Sequence, residues 1–311
     1  MQASKAGFLR RWLGQWQIQL MALCGIAFIL VFCYLPMIGI VMSFKLMDYS
    51  YNLTKDFFIA PWVGLQYYLE FFNDYQFVDI LKNTLFMNLL QLVFNFPAPI
   101  LFAILISEVF HTRFKKIVQT ITYFPHFLSW IVFGGIVMNL IAQESGVVNP
   151  LLMFFGVINE PIDFMGDPNK FWGLVVVTSL LKGLGWGSVI YLAAIMSIDT
   201  SLYEAATLDG ASRIQRIRHI TIPSISGTII IFFLLSLSNL LNSSFDQIWV
   251  FQSPLNLEKS EVIDTYVYKV GLTQMRYSYT TAVGVFKSVI ALILLVSGHY
   301  ISKRLAGRGL F

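Results

Sequence analysis

The chain has 311 residues, of which 57% are hydrophobic, 16% aromatic and only 12% charged. With a mean hydropathy of +0.69, this composition excludes a soluble globular domain and predicts a polytopic membrane protein. The net charge of +4 comes with no basic cluster interleaved with aromatic side chains, which excludes nucleic-acid binding.

Six apolar stretches are long enough to cross a bilayer, because a hydrocarbon core of about 30 Å needs roughly 20 residues of helix. We place the predicted spans at 20–44, 81–108, 117–142, 171–196, 223–245 and 279–301. No repeat, low-complexity tract or Pro/Gly/Ser linker separates them. We therefore expect an all-α protein with a single membrane domain over residues 1–311, surrounded by membrane lipid.

The first span follows Lys5, Arg10 and Arg11, as the apolar part of a signal peptide would. It is too long for that and lacks an A-x-A-like cleavage site, so we interpret it as a retained helix. Cys24 and Cys33 lie in this span nine residues apart, on different helix faces. We expect them to act as small apolar residues without a disulfide or metal role.

Charge distribution predicts the orientation, because lysine and arginine favour the cytoplasmic side of membrane spans. One side carries twelve of the 21 basic residues, namely Lys5, Arg10, Arg11, Arg113, Lys115, Lys116, Arg213, Arg216, Arg218, Lys303, Arg304 and Arg308. The opposite loops, 45–80, 143–170 and 246–278, hold 13 of the 17 acidic residues. We expect both termini to be cytoplasmic, and the outer loops to be either ordered caps or a docking surface.

The second span contains Asn88, Gln91 and Asn95 at helical spacing, followed by Pro97 and Pro99. The prolines are expected to kink or interrupt the helix. We favour a structural role for the three amides over a role in binding.

The fourth span carries Lys182 and Trp186 four residues apart, on one helix face. The neighbouring Gly183, Gly185 and Gly187 allow close helix approach. Ionisable side chains within spans tend to face the bundle interior or a water-filled path. Lys182 and Trp186 are therefore candidates for a substrate pathway, although helix packing explains the glycines.

The segment from Ser201 to Pro223 is a polar insert between two apolar runs. Two capping-box patterns, Ser201 with Glu204 and Ser212 with Gln215, predict two short helices, with a break at Asp209-Gly210. Pro223 suits the first turn of the next helix. The insert is therefore predicted to be a helix-turn-helix that another protein holds.

The fifth span shows a predicted polar stripe in an otherwise apolar helix, formed by Ser236, Asn239, Asn242 and Ser243. Amides and hydroxyls with a nearby aromatic face suit a sugar, but hydrogen bonds to a partner subunit explain the stripe equally well. In the sixth span, Lys287 would counter an acidic sugar, as Lys182 would, or instead pair with an acid or snorkel to the surface.

The polar insert contains a longer motif. It consists of Glu204-Ala205-Ala206, three residues, Gly210, nine residues, then Ile220-x-Ile222-Pro223. It resembles the EAA loop of permease subunits in binding-protein-dependent ABC importers. FPAPILFAILISEV, FKKIVQTITYFPHFLSW, LGWGSVIYLAAI, DTYVYKVGL and YTTAVGVFKSVI resemble the polysaccharide and oligosaccharide branch of that family. The loop departs from the usual pattern at Ile222, where leucine is commoner, and at Gly227, where a second proline is often found.

The resemblance implies a cytoplasmic coupling loop at 201–219, between helices 4 and 5, that docks on an ATPase. The implied coupling residues are Glu204, Ala205, Ala206, Asp209, Gly210, Ile220 and Pro223. The implied partners are a second homologous permease, two ATP-binding cassette subunits that bind ATP and Mg, and an extracytoplasmic sugar-binding protein. The helix after the loop would line the sugar site.

Catalytic motifs are absent from the sequence: there is no G-x-x-x-x-G-K-[ST], H-E-x-x-H or C-x-x-C. ATP would therefore be hydrolysed by another chain, and we expect no catalytic residue or cofactor in this one. His111, His126, His219 and His299 are far apart in sequence, which disfavours a metal site.

Two other functions remain open. A permease for a non-sugar solute would also carry an EAA loop. An ion-coupled secondary transporter would need intramembrane acids, yet only Glu108, at the edge of a span, comes close.

Overall fold

The computed structural model of the chain describes residues 14–306. Lys5, Arg10, Arg11 and Arg308, which contribute to the predicted orientation, lie outside the described residues. Within the described part the regular elements are helices, together with one isolated bridge between Lys45 and Trp62. The expected all-α fold is confirmed.

The α-helices are numbered here in chain order. They are α1 (Trp16–Ile29), α2 (Leu53–Ile59), α3 (Gln66–Asn73), α4 (Phe77–Asn95), α5 (Pro97–Ser107), α6 (Thr112–Tyr123), α7 (Trp130–Ile141), α8 (Val148–Phe154), α9 (Pro168–Met196), α10 (Thr200–Leu208), α11 (Arg213–Arg216), α12 (Ile222–Ser238), α13 (Phe245–Phe251), α14 (Leu257–Ser260), α15 (Ile263–Tyr268) and α16 (Tyr277–Ala306). Shorter π or 3₁₀ segments occupy Leu30–Tyr34, Leu35–Phe44, Phe124–Phe127, Ile217–Thr221 and Lys269–Thr273.

Five continuous helices in the described part are long and apolar enough to cross a membrane. They are Trp16–Phe44, Phe77–Ser107, Pro168–Met196, Arg213–Ser238 and Tyr277–Tyr300. They correspond to five of the six predicted spans. The second of them combines α4 and α5. The prolines after Asn95 therefore mark a boundary between two helices but do not end the span.

The remaining predicted span, 117–142, is not one straight helix. Residues Thr112–Phe127 and Trp130–Ile141 meet at an angle of 107°. Pro125 has no amide hydrogen to continue the helix, and Leu128 and Ser129 adopt extended backbone conformations. The Ser129 hydroxyl then accepts the amide hydrogen of Val132 at 3.2 Å and starts α7.

The fifth span also ends earlier than predicted, at Ser238 instead of residue 245. The Asn239 side chain donates to the carbonyl of Leu235 at 3.0 Å, and its backbone amide bonds to Leu235 and Ser236. Such local bonds let asparagine compete with helix continuation. The prediction that Asn239, Asn242 and Ser243 continue a helical stripe is therefore wrong. They lie in a non-helical stretch, Asn239–Ser244, called here the post-α12 segment.

Two compact units divide the described residues, the first formed by 14–72 and 270–285. In this unit Asp48 caps the start of α16, because its Oδ1 accepts the amide hydrogens of Ser278 and Tyr279 at 2.9 and 3.2 Å. Arg276 pairs with Asp48 at 3.3 Å and with Glu70 at 2.7 Å. These contacts connect residues between the first two spans to the first turn of a membrane helix.

The second unit comprises 73–269 and 286–306, and α9 contributes residues to two hydrophobic clusters. Phe171 and Val175 pack with residues of α4, α7 and α13, whereas Tyr191 and Ile195 pack with α5 and α12. A side chain at Gly185 would collide with the carbonyl of Thr122. This glycine therefore permits the close approach expected from the sequence, since helices in membranes associate largely by close packing.

Candidate substrate cavity and coupling loop

A cavity of about 430 Å³ lies among α4, α9, α12 and the post-α12 segment. Its wall combines amide and hydroxyl side chains with two phenyl rings. The polar residues are Asn88, Gln91, Asn95, Ser179, Ser236, Asn239 and Asn242, and the rings belong to Phe96 and Phe232. Polar groups within an apolar frame are the usual chemistry of a small-molecule site.

The cavity wall carries no charged side chain among the residues that the structure describes. Gln91 Nε2 and both amide atoms of Asn95 are shielded from solvent and have no hydrogen-bond partner within the described chain. Buried amide atoms without a hydrogen-bond partner lower the free energy of unfolding. A water molecule, or a bound molecule that carries hydroxyl groups, would supply the missing partners. Each amide both donates and accepts, which matches the chemistry of a hydroxyl group.

Three of the predicted pathway residues, Ser236, Asn239 and Asn242, line this cavity. Ser243 stands behind the wall, where its hydroxyl accepts a hydrogen bond from Asn88 Nδ2 at 2.9 Å. The amide stripe of α4, for which sequence analysis favoured a structural role, faces the same cavity. Its helical spacing was visible in the sequence, but the spacing does not identify the helix that it faces.

Lys182 lies outside the cavity and is 8% exposed. Its ammonium group donates to the carbonyls of Pro125 and His126, at 3.0 Å each, and to that of Leu128. It also stands 5.3 Å from the centre of the Trp130 ring. The lysine thus satisfies carbonyl groups that the break before α7 leaves without helical partners.

Trp186 is 48% exposed and also lies outside the cavity wall. Its ring stacks on His126 with centroids 4.7 Å apart and an interplanar angle of 6°, and it meets Phe127 edge-on. The structure therefore places Lys182 and Trp186 together at the break between α6 and α7, separate from Ser236, Asn239 and Asn242.

The first helix of the insert, α10, has its N-cap two residues earlier than the sequence pattern suggests. Asp199, not Ser201, is the N-cap of α10, and its carboxylate accepts the amide hydrogen of Ser201 at 2.9 Å. The predicted capping box of Ser201 with Glu204 is therefore wrong. Hydrogen bonding from Ser201 lowers the pKa of the Asp199 carboxyl below its ordinary value, so this cap weakens as pH falls through that lowered pKa.

Gly210 ends α10 in the left-handed conformation, with a φ of +76°. The amide of Ala211 bonds to the carbonyl of Ala206 at 2.9 Å, and that of Gly210 bonds to Thr207 at 3.1 Å. This pair of bonds is a Schellman motif, which satisfies the last carbonyls of a helix. The structural reason for a glycine is therefore the backbone conformation at this position.

Ser212 and Gln215 form the second predicted capping box, which the structure confirms at the start of α11. The helix then continues through the π-turn Ile217–Thr221 into α12. Pro223 lies in the first turn of α12, as predicted, although the helical path from Arg213 to Ser238 is continuous. Wider turns of this kind accommodate irregularities in helices.

A groove of about 360 Å³ runs along this insert. Of the predicted coupling residues, Ala206, Asp209, Gly210 and Ile220 line it, whereas Glu204, Ala205 and Pro223 are exposed elsewhere on the insert. Arg216 bonds to the Thr207 hydroxyl at 3.0 Å and leaves its Nε shielded without a partner in the described chain. The groove thus combines the apolar side chains of Ala206, Ala211 and Ile220 with the guanidinium group of Arg216.

Residues 81–307 match the family described as the binding-protein-dependent transport system inner membrane component. The chain belongs to this family. It is therefore a permease, a transport component of the inner membrane with several membrane-spanning helices, and the family resemblance of its sequence is confirmed.

Two relatives are similar in sequence to this permease along most of its length. Protein LplB of Bacillus subtilis (strain 168) is 40% identical, over 94% of this chain and 91% of that protein. The polygalacturonan/rhamnogalacturonan transport system permease protein YteP of the same organism is 38% identical, over 94% and 90%.

Solved structures show the same fold. A chain of a bacterial ABC transporter involved in the import of the acidic polysaccharide alginate is 36% identical, with a TM-score of 0.85, covering 96% of this permease and 99% of that chain. A chain of an alginate ABC transporter in complex with an alginate pentasaccharide-bound periplasmic protein is 35% identical, also with a TM-score of 0.85, over 97% and 99%.

Proposed function

We propose that this permease carries an oligosaccharide or polysaccharide across the cytoplasmic membrane, delivered by an extracytoplasmic binding protein and driven by ATP hydrolysis in a partner chain. The observation that carries the proposal is the cavity beside α4 and α12. Its amides and hydroxyls suit sugar hydroxyl groups, and Phe96 and Phe232 supply rings for C–H surfaces.

Relatives support the saccharide class. Polygalacturonan, rhamnogalacturonan and alginate are named for proteins that match this chain over nearly its whole length. These are acidic polymers, yet the cavity wall is uncharged. Recognition here would therefore rest on hydroxyl groups, and an apolar solute would leave the unpaired amides of Gln91 and Asn95 without partners.

The insert from 201 to 219 is the proposed coupling loop within a single permease domain. Asp209, Gly210 and Ile220 border the groove where a nucleotide-binding subunit would insert, and exposed Glu204 would add a charged contact. ATP and Mg would bind to that subunit. Its closure would move the loop and the continuous helix from Arg213 to Ser238, which reaches the cavity.

The full assembly would contain this chain, a second homologous permease, two ATP-binding cassette subunits and the binding protein. The cytoplasmic side would hold both termini and the coupling loop. Co-purification of the tagged chain from its native membrane in mild detergent, followed by mass spectrometry, tests this composition. We expect an ATPase and a second permease; recovery of the chain alone or as a homo-oligomer would contradict the proposal.

A further inference from the structure

Lys287 lies ten residues after the start of α16, about 15 Å along a membrane-spanning helix. Its ammonium group forms an ion pair with Oδ1 of Asp264 in α15. The two side chains are only 14% and 23% exposed. Ionisable groups within a span are expensive and usually pair with each other or serve function, so this pair requires an explanation.

The second carboxylate oxygen of Asp264 is connected to the wall of the candidate cavity by two hydrogen bonds through Ser243. Oδ2 accepts the backbone amide hydrogen of Ser243 at 3.0 Å. Ser243 in turn accepts a hydrogen bond from Asn88 in the cavity wall at 2.9 Å. The same post-α12 segment supplies Asn239 and Asn242, joined by a 2.9 Å hydrogen bond between their side chains.

We propose that Asp264, oriented by Lys287, is a positioning residue that holds the post-α12 segment against the cavity without touching the transported molecule. The segment is not helical; the backbone amides of Asn239 and Asn242 bond to nearby carbonyls, whereas that of Ser243 bonds to Asp264, from another element of the fold. A carboxylate fixed by an ion pair is a strong and well-oriented acceptor. Lys287 is already neutralised by this contact, which leaves the cavity to bind through uncharged groups. The proposal rests on the proposed function only in treating the cavity as the site of transport.

Two double variants separate the acceptor role from simple charge balance. Asp264→Asn/Lys287→Met and Asp264→Leu/Lys287→Met both remove the ion pair and are equally neutral. Only the asparagine retains an oxygen that can accept the Ser243 amide hydrogen. The charge-reversed variant Asp264→Lys/Lys287→Asp restores opposite charges but places a donor where the acceptor stood.

The deciding measurement is hydrogen–deuterium exchange of peptides covering 239–244, by mass spectrometry on the purified transporter complex. We expect exchange in the leucine and charge-reversed variants to be on the order of tenfold faster than in wild type, as loss of a hydrogen bond to a charged acceptor implies. The asparagine variant, which keeps a neutral acceptor without the ion pair, should exchange more slowly than the leucine variant and closer to wild type. Exchange along α9, which does not contact the pair through any of these bonds, serves as the internal control.

Equal exchange in the asparagine and leucine variants, or rescue by charge reversal, would overturn the positioning role. A general increase that includes α9 would also overturn it, because it would indicate a global structural defect. The same complexes are then assayed for ATP hydrolysis with binding protein loaded with alginate pentasaccharide or an oligogalacturonide. If wild type gave no stimulation, the saccharide assignment would fail while the exchange comparison still decided the role of Asp264.

Discussion

Gly210 is the residue at which backbone geometry bears most directly on coupling. A φ of +76° costs a non-glycine residue about 1–2 kcal/mol, and a β-branched side chain is the least compatible with it. We expect Gly210→Val to reduce the ATPase recovered with the tagged chain at least severalfold. Gly210→Asn is the matched control, because asparagine tolerates the left-handed region and should retain the partner. Equal recovery from the two variants would contradict this role for the Schellman motif.

Lys182 provides a second prediction at the scale of one side chain. Replacing it with methionine keeps the apolar stem but leaves three carbonyls without their donor. A buried acceptor left unpaired costs about 1–3 kcal/mol, so we expect Lys182→Met to lower the melting temperature by several degrees. Lys170→Met, on the exposed first turn of the same helix, should change it little. A similar melting temperature for both variants would argue against the carbonyl contacts.

Single residues also show what sequence patterns cannot resolve. Lys182 and Trp186 are correctly identified from the sequence as unusual side chains within a span, but their partners lie more than 50 residues away in the chain. The helical spacing of the two residues therefore suggested a substrate pathway, whereas in the structure they hold the break between α6 and α7 in place. Similarly, both Asp199 and Ser201 are good N-caps, and a capping-box pattern alone selected the wrong one.

The helix α4 carries one asparagine whose side chain is hydrogen-bonded within the protein and one whose side chain is not. Asn83 donates to the carbonyls of Glu258 and Glu261 at 2.8 and 3.1 Å, whereas the amide atoms of Asn95 have no partner in the described chain. Asn95→Leu should therefore raise the melting temperature while weakening saccharide-stimulated ATP hydrolysis. The same substitution at Asn83 should lower the melting temperature. A loss of stability in Asn95→Leu would contradict a site reserved for ligand.

Helix existence was predictable from hydropathy, but helix direction and helix ends were not. Five spans follow from apolar length alone, since backbone groups in lipid must be paired within the helix. The bend of 107° near Pro125 and the early end at Ser238 depend on local turns and on Lys182. The cavity was only half predicted for the same reason. Ser236, Asn239 and Asn242 were assigned to a substrate pathway, but the facing stripe on α4 was given a structural role.

Orientation belongs to the whole molecule, because it depends on charge differences summed over all loops. We expect the insert at 201–219 to be cytoplasmic and α2 to be on the outer side. With Cys24 and Cys33 replaced by serine, a membrane-impermeant maleimide should label Thr54→Cys in protoplasts or spheroplasts. It should label Ser201→Cys only after the membrane is opened. Labelling with the opposite sidedness would reverse the orientation and remove the coupling loop from the ATPase.

Energy coupling is also a property of the whole assembly: the continuous helix from Arg213 to Ser238 joins the proposed coupling loop to the uncharged cavity. The most direct measurement is uptake of labelled alginate pentasaccharide, oligogalacturonide and neutral cellopentaose by proteoliposomes that contain the complete complex. We predict uptake of at least one saccharide that requires both the binding protein and hydrolysable ATP, and that is lost in Gly210→Val but kept in Gly210→Asn. Uptake driven by an ion gradient without ATP, or no uptake of any of the three saccharides, would contradict ATP-driven saccharide import.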